Sequence, residues 1–302
     1  MTTPMSANLD AFARACRAKR LKPATQEWYE WLLTDYCEYV EAQGLRWDAP
    51  DTLDAFFGEH LADRELSAHT VHAYYRALRR FFNWLEKRRR LPGDNPIRAI
   101  ESPRTPHRFP RYIEADEVDK MLDAIEDIDT WFGKRDRAVI MFLWDTGVRA
   151  SELCGLEMRD LDLARRKAVI RNGKGEKDRS ISFGLRAKEY LTAWLEVRDK
   201  RGETNCRNVF INQDGKPLKR RGLSSLLRRR AQKAGVEGPC NPHAFRHGFA
   251  MAFLDNGGHI NNLQRLMGHA TLRSTEVYVW STDKRAHADH ANASPGDHLN
   301  DS

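Results

Sequence analysis

The chain has 302 residues, with 50 Lys+Arg against 43 Asp+Glu and a formal net charge of +7. Its length favours two domains over one, and with 41% apolar and 10% aromatic residues it is too apolar for an intrinsically disordered chain. The longest strongly apolar run, residues 138–144, is far shorter than the roughly 20 residues of a membrane-spanning helix, and the N-terminus lacks a secretory signal pattern, so we expect a cytoplasmic protein with no membrane partner.

The first hundred residues have apolar positions at helical spacing. Turn signals such as Lys22-Pro23 and Gln43-Gly44 separate the helical stretches. Four helices with short connections indicate a small bundle. The predicted helices cover residues 8–20, 25–42, 50–63 and 67–90.

The fourth predicted helix has the clearest pattern, with Ser67 placed as its N-cap. Arg76, Arg79 and Arg80 lie near one another on it, at helical spacing. A solvated face explains such charges as well as contact with phosphates does, so these arginines are DNA-binding candidates with both interpretations open.

Residues 91–110 contain five prolines and almost no apolar periodicity, which is typical of a linker. We therefore predict a helical first domain over residues 1–106, with a linker at about 91–111, and a second domain over residues 112–302. Lys+Arg exceed Asp+Glu by one up to Pro106 and by six from His107 onward. A basic excess favours a polyanionic partner, of which nucleic acid is the simplest.

The second domain mixes helices and strands. Helices are predicted over residues 115–128 and 131–146, and Gly147 ends the second of them. Three alternating segments follow, at residues 160–163, 167–171 and 179–183, and they indicate a small antiparallel sheet. From residue 186 the pattern is helical again, with a possible short strand and turn over 209–217 and a polar tail over 283–302. The predicted fold class is mainly α with a small antiparallel sheet.

Several chemistries lose support from missing patterns. The five cysteines are odd in number and never form a Cys-x-x-Cys pair, which favours free thiols over disulfides or a zinc site. The chain has no phosphate-cradling Gly-x-x-x-x-Gly-Lys-Ser/Thr, no Gly-x-Gly-x-x-Gly, no His-Glu-x-x-His and no Gly-x-Ser-x-Gly. Nucleotide-driven, nicotinamide-dependent and zinc-protease activities are therefore disfavoured.

What remains is a set of polar residues at the ends of predicted elements. Arg149 follows the helix-ending Gly147, and Lys174 lies at the tip of the predicted hairpin. Three residues apart, His243 and Arg246 share one helix face after Pro242. Taken singly, each has an ordinary structural explanation, such as a helix-end arginine or a solvated lysine. His269 ends a predicted helix, and Tyr278, which a core position would also explain, comes nine residues later.

Together these residues form a family pattern. The stretch contains Gly-x-Arg-x-Ser-Glu-Leu, Gly-Lys-Gly-x-Lys, His-x-x-Arg-His and Leu-x-Gly-His, followed by the tyrosine nine residues on. This order resembles the catalytic domain of tyrosine recombinases, the group of Xer recombinases and phage and transposon integrases. The resemblance extends over residues 8–288 and implies an N-terminal helical core-binding domain, a linker and a mixed α/β catalytic domain.

The resemblance implies a role for each matching residue. Tyr278 would attack a scissile phosphate to give a 3′-phosphotyrosyl link and a free 5′-hydroxyl. Lys174 would protonate the departing 5′-oxygen, and His243 would assist proton transfer.

Other matching residues would stabilise the transition state or support the site. Arg149 and Arg246 would clamp the non-bridging phosphate oxygens, and His269 would hydrogen-bond the phosphate. Glu152 and His247 match positions that support the site without reacting. Guanidinium forks suit the charge of a pentavalent phosphoryl transition state, so no metal and no other cofactor is expected. A covalent intermediate conserves the bond energy, which makes ATP unnecessary.

The implied partner is double-stranded DNA. By resemblance the enzyme would act as a homotetramer on two DNA sites through a Holliday junction, possibly with a paralogous recombinase or accessory proteins. Arg220 and Arg221 lie on a predicted helix, where they are DNA-binding candidates or merely face solvent. The predicted helix after Tyr278, over residues 281–293, offers mainly alanine and polar contacts, so its docking on a neighbouring protomer is the less secure expectation.

Two alternative functions remain open at this point. One is a DNA-binding protein of the same fold that does not cut, against which the six filled catalytic positions argue. The other keeps the phosphotyrosine chemistry but yields a relaxed topoisomer or a hairpin end. The DNA target sequence, and the choice between resolution, integration and excision, do not follow from the sequence.

Overall fold

The computed structural model describes residues 4–106, 111–171, 178–200 and 205–268. The chain divides into two compact units, Met1–Arg108 and Phe109–Ser302. Each unit has its own cluster of buried apolar side chains. Across the described parts of the chain, none of the helices has the length and apolar content needed to cross a membrane.

The first unit is a helical bundle around an aromatic core. Pro23 starts its second helix and Gly44, with φ +62°, ends it in the left-handed conformation that favours glycine. Fully buried rings from three elements meet in this core, among them Tyr36, Phe56 and Phe82. The helices are α1 (Met5–Ala18), α2 (Pro23–Gln43), α3 (Pro50–Ala55) and α4 (Ala68–Lys87).

The single helix predicted over residues 50–63 differs from the observed structure. After α3 the chain forms a π-helical turn, Phe56–His60, in which the Leu61 N–H donates to the Phe56 carbonyl at 2.9 Å. A π-helical turn holds more residues than an α-helical one, so Phe56 and Leu61 come to the same face, and both are fully buried.

The fourth helix begins as its N-cap predicts. The Ser67 Oγ accepts from the Thr70 N–H at 3.2 Å, and the apolar face of α4 packs into the core. Residues 95–100, within the predicted linker, also pack on this unit: a short 3-10 turn, Pro96–Arg98, buries Ile97, and Ile100 is buried beside it. The Asn95 side chain holds this turn by accepting from the Ile97 N–H and donating to Asn83.

The second unit surrounds the long buried helix α6 (Trp131–Thr146). A Cβ on Gly133 would meet the Asp127 carbonyl oxygen at 1.9 Å, so only glycine fits where α6 passes that loop. The helix ends at Gly147 in the left-handed conformation, as predicted. The other helices are α5 (Ala115–Asp123), α7 (Ala150–Gly155), α8 (Leu185–Arg198), α9 (Arg220–Lys233), α10 (Pro242–Asp255) and α11 (Ile260–Met267).

The sheet has three antiparallel strands in chain order, β1 (Leu161–Asp162), β2 (Lys167–Ile170) and β3 (Arg179–Ser182). Ala168 pairs with Ile181, and both point into the core. The possible strand over 209–217 is instead a tight turn with one isolated pairing, between Ile211 and Pro217. The Asn212 side chain holds that turn by accepting from the N–H groups of Asp214 and Lys216.

The predicted fold class is confirmed: the chain is mainly α-helical, with a small antiparallel sheet in the second unit. The helix predicted over residues 115–128 is shorter, because α5 ends at Asp123 and a turn over residues 124–130 leads into α6. All five cysteines are free thiols, as expected, with Cys16 and Cys37 buried and the other three partly exposed.

Candidate active site

Arg149 lies where α6 gives way to α7. Gly147 reverses the chain there, and a Cβ on it would come within 2.3 Å of the Phe249 ring, so both its conformation and its packing require glycine. Arg149 then occupies the N-cap position of α7 with extended backbone. Its guanidinium donates from Nη1 to Glu152 at 2.8 Å and from Nη2 to the Gly268 carbonyl at 3.2 Å, and its side chain is 38% exposed.

Glu152 is the carboxylate that holds Arg149. It accepts from the Arg149 backbone N–H at 2.8 Å and from the Arg149 side chain, and it is also bound by two N–H groups of Arg179. Burial acts to raise the pKa of Glu152, but the hydrogen bonds from Arg179 and from Arg149 outweigh it and lower the pKa to about 2. Glu152 is therefore ionised at neutral pH.

Arg246 lies on α10 and is 5% exposed. Its Nη1 donates to the Gly147 carbonyl at 2.7 Å, and its Nη2 donates to the Met267 carbonyl at 2.6 Å. These carbonyls end α6 and α11, where the carbonyl groups of a helix lack partners within the helix. The guanidinium is thus fixed between two helix C-termini, which also attract a positive charge.

His243 and His247 are one turn apart on α10. Their Nε2 atoms are 2.7 Å apart and their rings are nearly perpendicular, at 88°. Burial and the charge of Arg246 lower the pKa of His243. The backbone N–H of His243 donates to the side-chain oxygen of the N-cap residue Asn241 at 3.0 Å. His243 is therefore a neutral imidazole at neutral pH, with its ring held by a second histidine.

Arg149, His243 and Arg246 line one open cleft of about 1510 Å³. Its opposite wall comes from α9, which contributes Arg220, Arg221 and Arg228. The structure therefore brings three of the predicted catalytic residues together with two of the DNA-binding candidates in one positively charged groove.

The far face of α9 is different. Arg230 is buried and forms ion pairs with Asp136 at 2.8 Å and Asp127 at 3.1 Å. Arg229 pairs with the same Asp136 at 3.4 Å. These two arginines fasten α9 to the start of α6, so they serve packing.

The candidates of the first unit lie on an exposed strip of α4. Arg76, Arg79 and Arg80 are exposed there, and the Arg76 guanidinium lies 6.0 Å from the centre of the Trp28 ring. These three arginines form a basic face on the first unit.

Three predicted catalytic residues, Lys174, His269 and Tyr278, lie outside the described residues, as does the tail over 283–302. For His269, the preceding residue contacts a side chain of the cleft. The Gly268 carbonyl, directly before His269, accepts from Arg149.

Arg179 is the site neighbour that the sequence interpretation missed. It is the first residue of β3, and its side chain is 10% exposed while bound to Glu152. A signal for it existed: in a strand, residues two apart share a face, which places Arg179 on the inward face with Ile181.

Comparison with known proteins decides the family. Residues 111–285 match the model described as the phage integrase family, and residues 53–96 match the phage integrase N-terminal SAM-like domain. The chain belongs to the phage integrase family. The chain is also 30% identical over 280 residues to tyrosine recombinase XerC of Escherichia coli O157:H7, covering 92% of each chain. It is 35% identical over 265 residues to tyrosine recombinase XerD of Listeria monocytogenes serotype 4b, covering 85% of this chain and 88% of the relative.

The fold of the chain agrees with these matches. The crystal structure of the XerH site-specific recombinase bound to palindromic difH substrate, a post-cleavage complex, aligns with a TM-score of 0.74 at 21% identity, covering 94% of this chain and 84% of that one. The predicted resemblance is confirmed, and the protein is a tyrosine-type site-specific recombinase.

Proposed function

We propose that this protein cleaves and rejoins double-stranded DNA at a specific site through a 3′-phosphotyrosyl intermediate on Tyr278. The observation that carries the proposal is the pair of guanidinium groups at one cleft, with Arg246 fixed by the Gly147 and Met267 carbonyls and Arg149 fixed by Glu152. Two preorganised cations at one point fit a phosphoryl group whose negative charge rises in the transition state.

Preorganisation is what makes these arginines suited to catalysis. A guanidinium held by backbone carbonyls does not have to reorganise when charge develops, so its attraction is strongest in the transition state. The cleft also brings the backbone carbonyl before His269 to Arg149. We propose that Arg149, Arg246 and His269 together bind the non-bridging oxygens.

The proposed reaction needs no reagent other than the protein and the DNA. The Tyr278 oxygen forms a bond to phosphorus, and its proton leaves with the help of His243, whose neutral form suits that task. The bond from phosphorus to the 5′-oxygen breaks, and Lys174 donates a proton to that oxygen. Attack by a 5′-hydroxyl on the phosphotyrosine reverses these steps and rejoins the strand.

The same chemistry explains why we propose no requirement for ATP or a metal ion. The phosphotyrosyl bond retains the energy of the broken phosphodiester, so rejoining needs no nucleotide. Arginines supply the positive charge that a metal would otherwise bring to the phosphate.

Binding is proposed to involve both basic surfaces. Arg220 and Arg221 in the cleft and the arginines of α4 would neutralise backbone phosphates. Since strand exchange joins two sites, we propose a homotetramer that acts through a Holliday junction, with a paralogous recombinase or accessory proteins as possible members of the complex. We also propose that the protein acts in the cytoplasm, as expected from the sequence.

A covalent-trapping experiment tests the proposal. The protein is first used to select DNA that it binds, and duplexes with the selected site and a nick near it are then incubated with it and run on a denaturing gel. We expect an adduct with wild type and none with Tyr278→Phe, while Arg149→Ala and Arg246→Ala still bind DNA but form no adduct. Binding without any adduct would favour a non-cleaving DNA-binding protein, and adducts that only relax supercoils or seal hairpins would favour the topoisomerase or hairpin-end activity.

A further inference from the structure

Arg179 makes more connections in the cleft region than its place in a surface hairpin suggests. Its Nη1 and Nη2 donate to the two oxygens of Glu152 at 2.8 and 2.7 Å. Its Nε donates to the Leu266 carbonyl near the end of α11 at 2.9 Å. One side chain therefore joins β3, α7 and α11.

Gly268 also lies close to the Arg179 side chain. A Cβ on Gly268 would lie 3.1 Å from three atoms of the Arg179 side chain, a tight contact, and Gly268 has φ +62°, a conformation that favours glycine. A planar guanidinium with a fixed fork of donors fits this position, whereas a lysine ammonium would reach fewer of these acceptors.

The hydrogen bonds of Glu152 show what Arg179 does for Arg149. Each Glu152 oxygen accepts two bonds, one from Arg179 and one from Arg149. A carboxylate has about four acceptor positions, so these four donors fill it. Arg149 consequently donates only one guanidinium group, Nη1, to Glu152. Its second hydrogen bond to Glu152 comes from its backbone N–H.

We propose that Arg179 is a positioning residue for the recombination reaction: by occupying half of the Glu152 carboxylate, it prevents Arg149 from folding onto Glu152 with both Nη groups. Without Arg179, Glu152 would be left with open acceptor positions beside the Arg149 guanidinium, and carboxylates bind guanidinium groups in a bidentate manner. Arg149 would then be drawn away from the phosphate. The inference rests on the proposed function, in which Arg149 binds the scissile phosphate.

The test compares rates of covalent adduct formation and DNA affinities at one temperature where all variants are folded. Arg179→Gln is expected to slow adduct formation about 100-fold, as a misplaced transition-state group does, with DNA affinity within about threefold of wild type. The decisive variant is Arg179→Gln combined with Glu152→Gln. Removing the Glu152 charge removes the competing bidentate site, so the double variant should recover about tenfold over Arg179→Gln alone.

A matched control comes from the neighbouring strand at the same end of the hairpin, where Ile170 pairs with Arg179. Arg171 binds the buried Asp160 with Nε and Nη2 at 2.9 and 2.7 Å, much as Arg179 binds Glu152, but these bonds go neither to Glu152 nor to α11. Arg171→Gln should therefore form adduct at the wild-type rate. Arg179→Lys serves as a milder variant if Arg179→Gln unfolds. Its rate of adduct formation should lie between the wild-type rate and the rate expected for Arg179→Gln.

The outcomes separate the inference from the proposed function. A wild-type protein with no Tyr278-dependent adduct overturns the proposed function itself. If wild type forms the adduct and the double variant is slower than Arg179→Gln, with the two losses simply adding, Arg179 does not act through Glu152 and the inference is wrong. An Arg179→Gln rate equal to that of Arg171→Gln also overturns it.

Discussion

The cleft of the second unit and the α4 face of the first unit are both rich in arginine, yet their guanidinium groups are held in different ways. In the cleft, Arg246 is bound to two backbone carbonyls and Arg149 to a carboxylate and a carbonyl. On α4, Arg79 and Arg80 are exposed to solvent. The same residue type is held rigid in one region and left exposed in the other.

The difference corresponds to two proposed tasks on DNA: stabilising the transition state of cleavage and holding the duplex. A transition state lasts too briefly for a side chain to reorganise, so charges that stabilise it have to be in place beforehand. Holding DNA is a sum of many weak, salt-dependent contacts with the backbone, for which exposed side chains suffice. Substitutions of the held arginines, Arg149 and Arg246, should therefore reduce the rate of cleavage, whereas those on α4 should reduce affinity alone.

The largest effect is expected for Arg246→Lys. Lysine keeps the charge but cannot bond the Gly147 and Met267 carbonyls and the phosphate together. We expect single-turnover cleavage to fall about 10²- to 10³-fold, with DNA affinity nearly unchanged. Arg79→Lys is the control on α4 and should cleave normally. Equal losses of affinity and cleavage in Arg246→Lys would remove the contrast between the two regions.

The next effect concerns the paired histidines. His247→Phe removes the hydrogen bond that orients His243, so cleavage should slow about tenfold, while His247→Gln keeps a hydrogen-bonding group and should lose less.

Because burial and Arg246 lower the pKa of His243, its neutral form persists below the ordinary histidine pKa. The rate of wild-type cleavage should therefore fall only below pH 6.5 as His243 gains a proton. A half-point above pH 6.5 would show that this explanation is wrong.

A smaller effect divides the two faces of α9. Arg221→Ala and Arg228→Ala change the cleft wall, and each should reduce the slope of log affinity against log salt by about 0.9, without changing cleavage at saturating DNA. Arg229→Ala is the matched control, because Arg229 is paired with Asp136 on the other face. The same change in slope for all three would mean that the cleft face has no special part in binding.

The smallest effect is expected on α4. Arg79→Ala should lower affinity only a few-fold and reduce the salt slope by about 0.9, since one phosphate contact is lost. Arg64→Ala in the same unit is the control, because Arg64 is bound to Asp35 at 2.6 Å. An unchanged slope for Arg79→Ala would assign the α4 arginines to a solvated face, the interpretation that the sequence also allows.

Local patterns predicted the helices and strands well, because their signals are short-range. Ser67, Gly147 and the alternation around Ile181 each act within a few residues. The π-helical turn at Phe56–His60 was not predicted, since it depends on burying Phe56 and Leu61 together in a core that only the fold creates.

In the site, too, short-range patterns were predictable, whereas contacts between residues far apart in the chain were not. Motif spacing identified Arg149, His243 and Arg246, which the structure brings to one cleft. It did not reveal Arg179, whose partners Glu152 and Leu266 are 27 and 87 residues away. Nor did it separate Arg230, buried on two aspartates, from Arg228 in the cleft, because neighbours on one helix look alike until its packing is known.

The most direct test of the central claim is to identify the atoms joined in the covalent adduct. The adduct from selected-site DNA is digested with protease and nuclease, and the nucleotide-bearing peptide is sequenced by mass spectrometry. We predict a peptide containing Tyr278, joined through its phenolic oxygen to a 3′-phosphate, with a free 5′-hydroxyl on the other DNA end. A link to any other residue, or to a 5′-phosphate, would contradict the account.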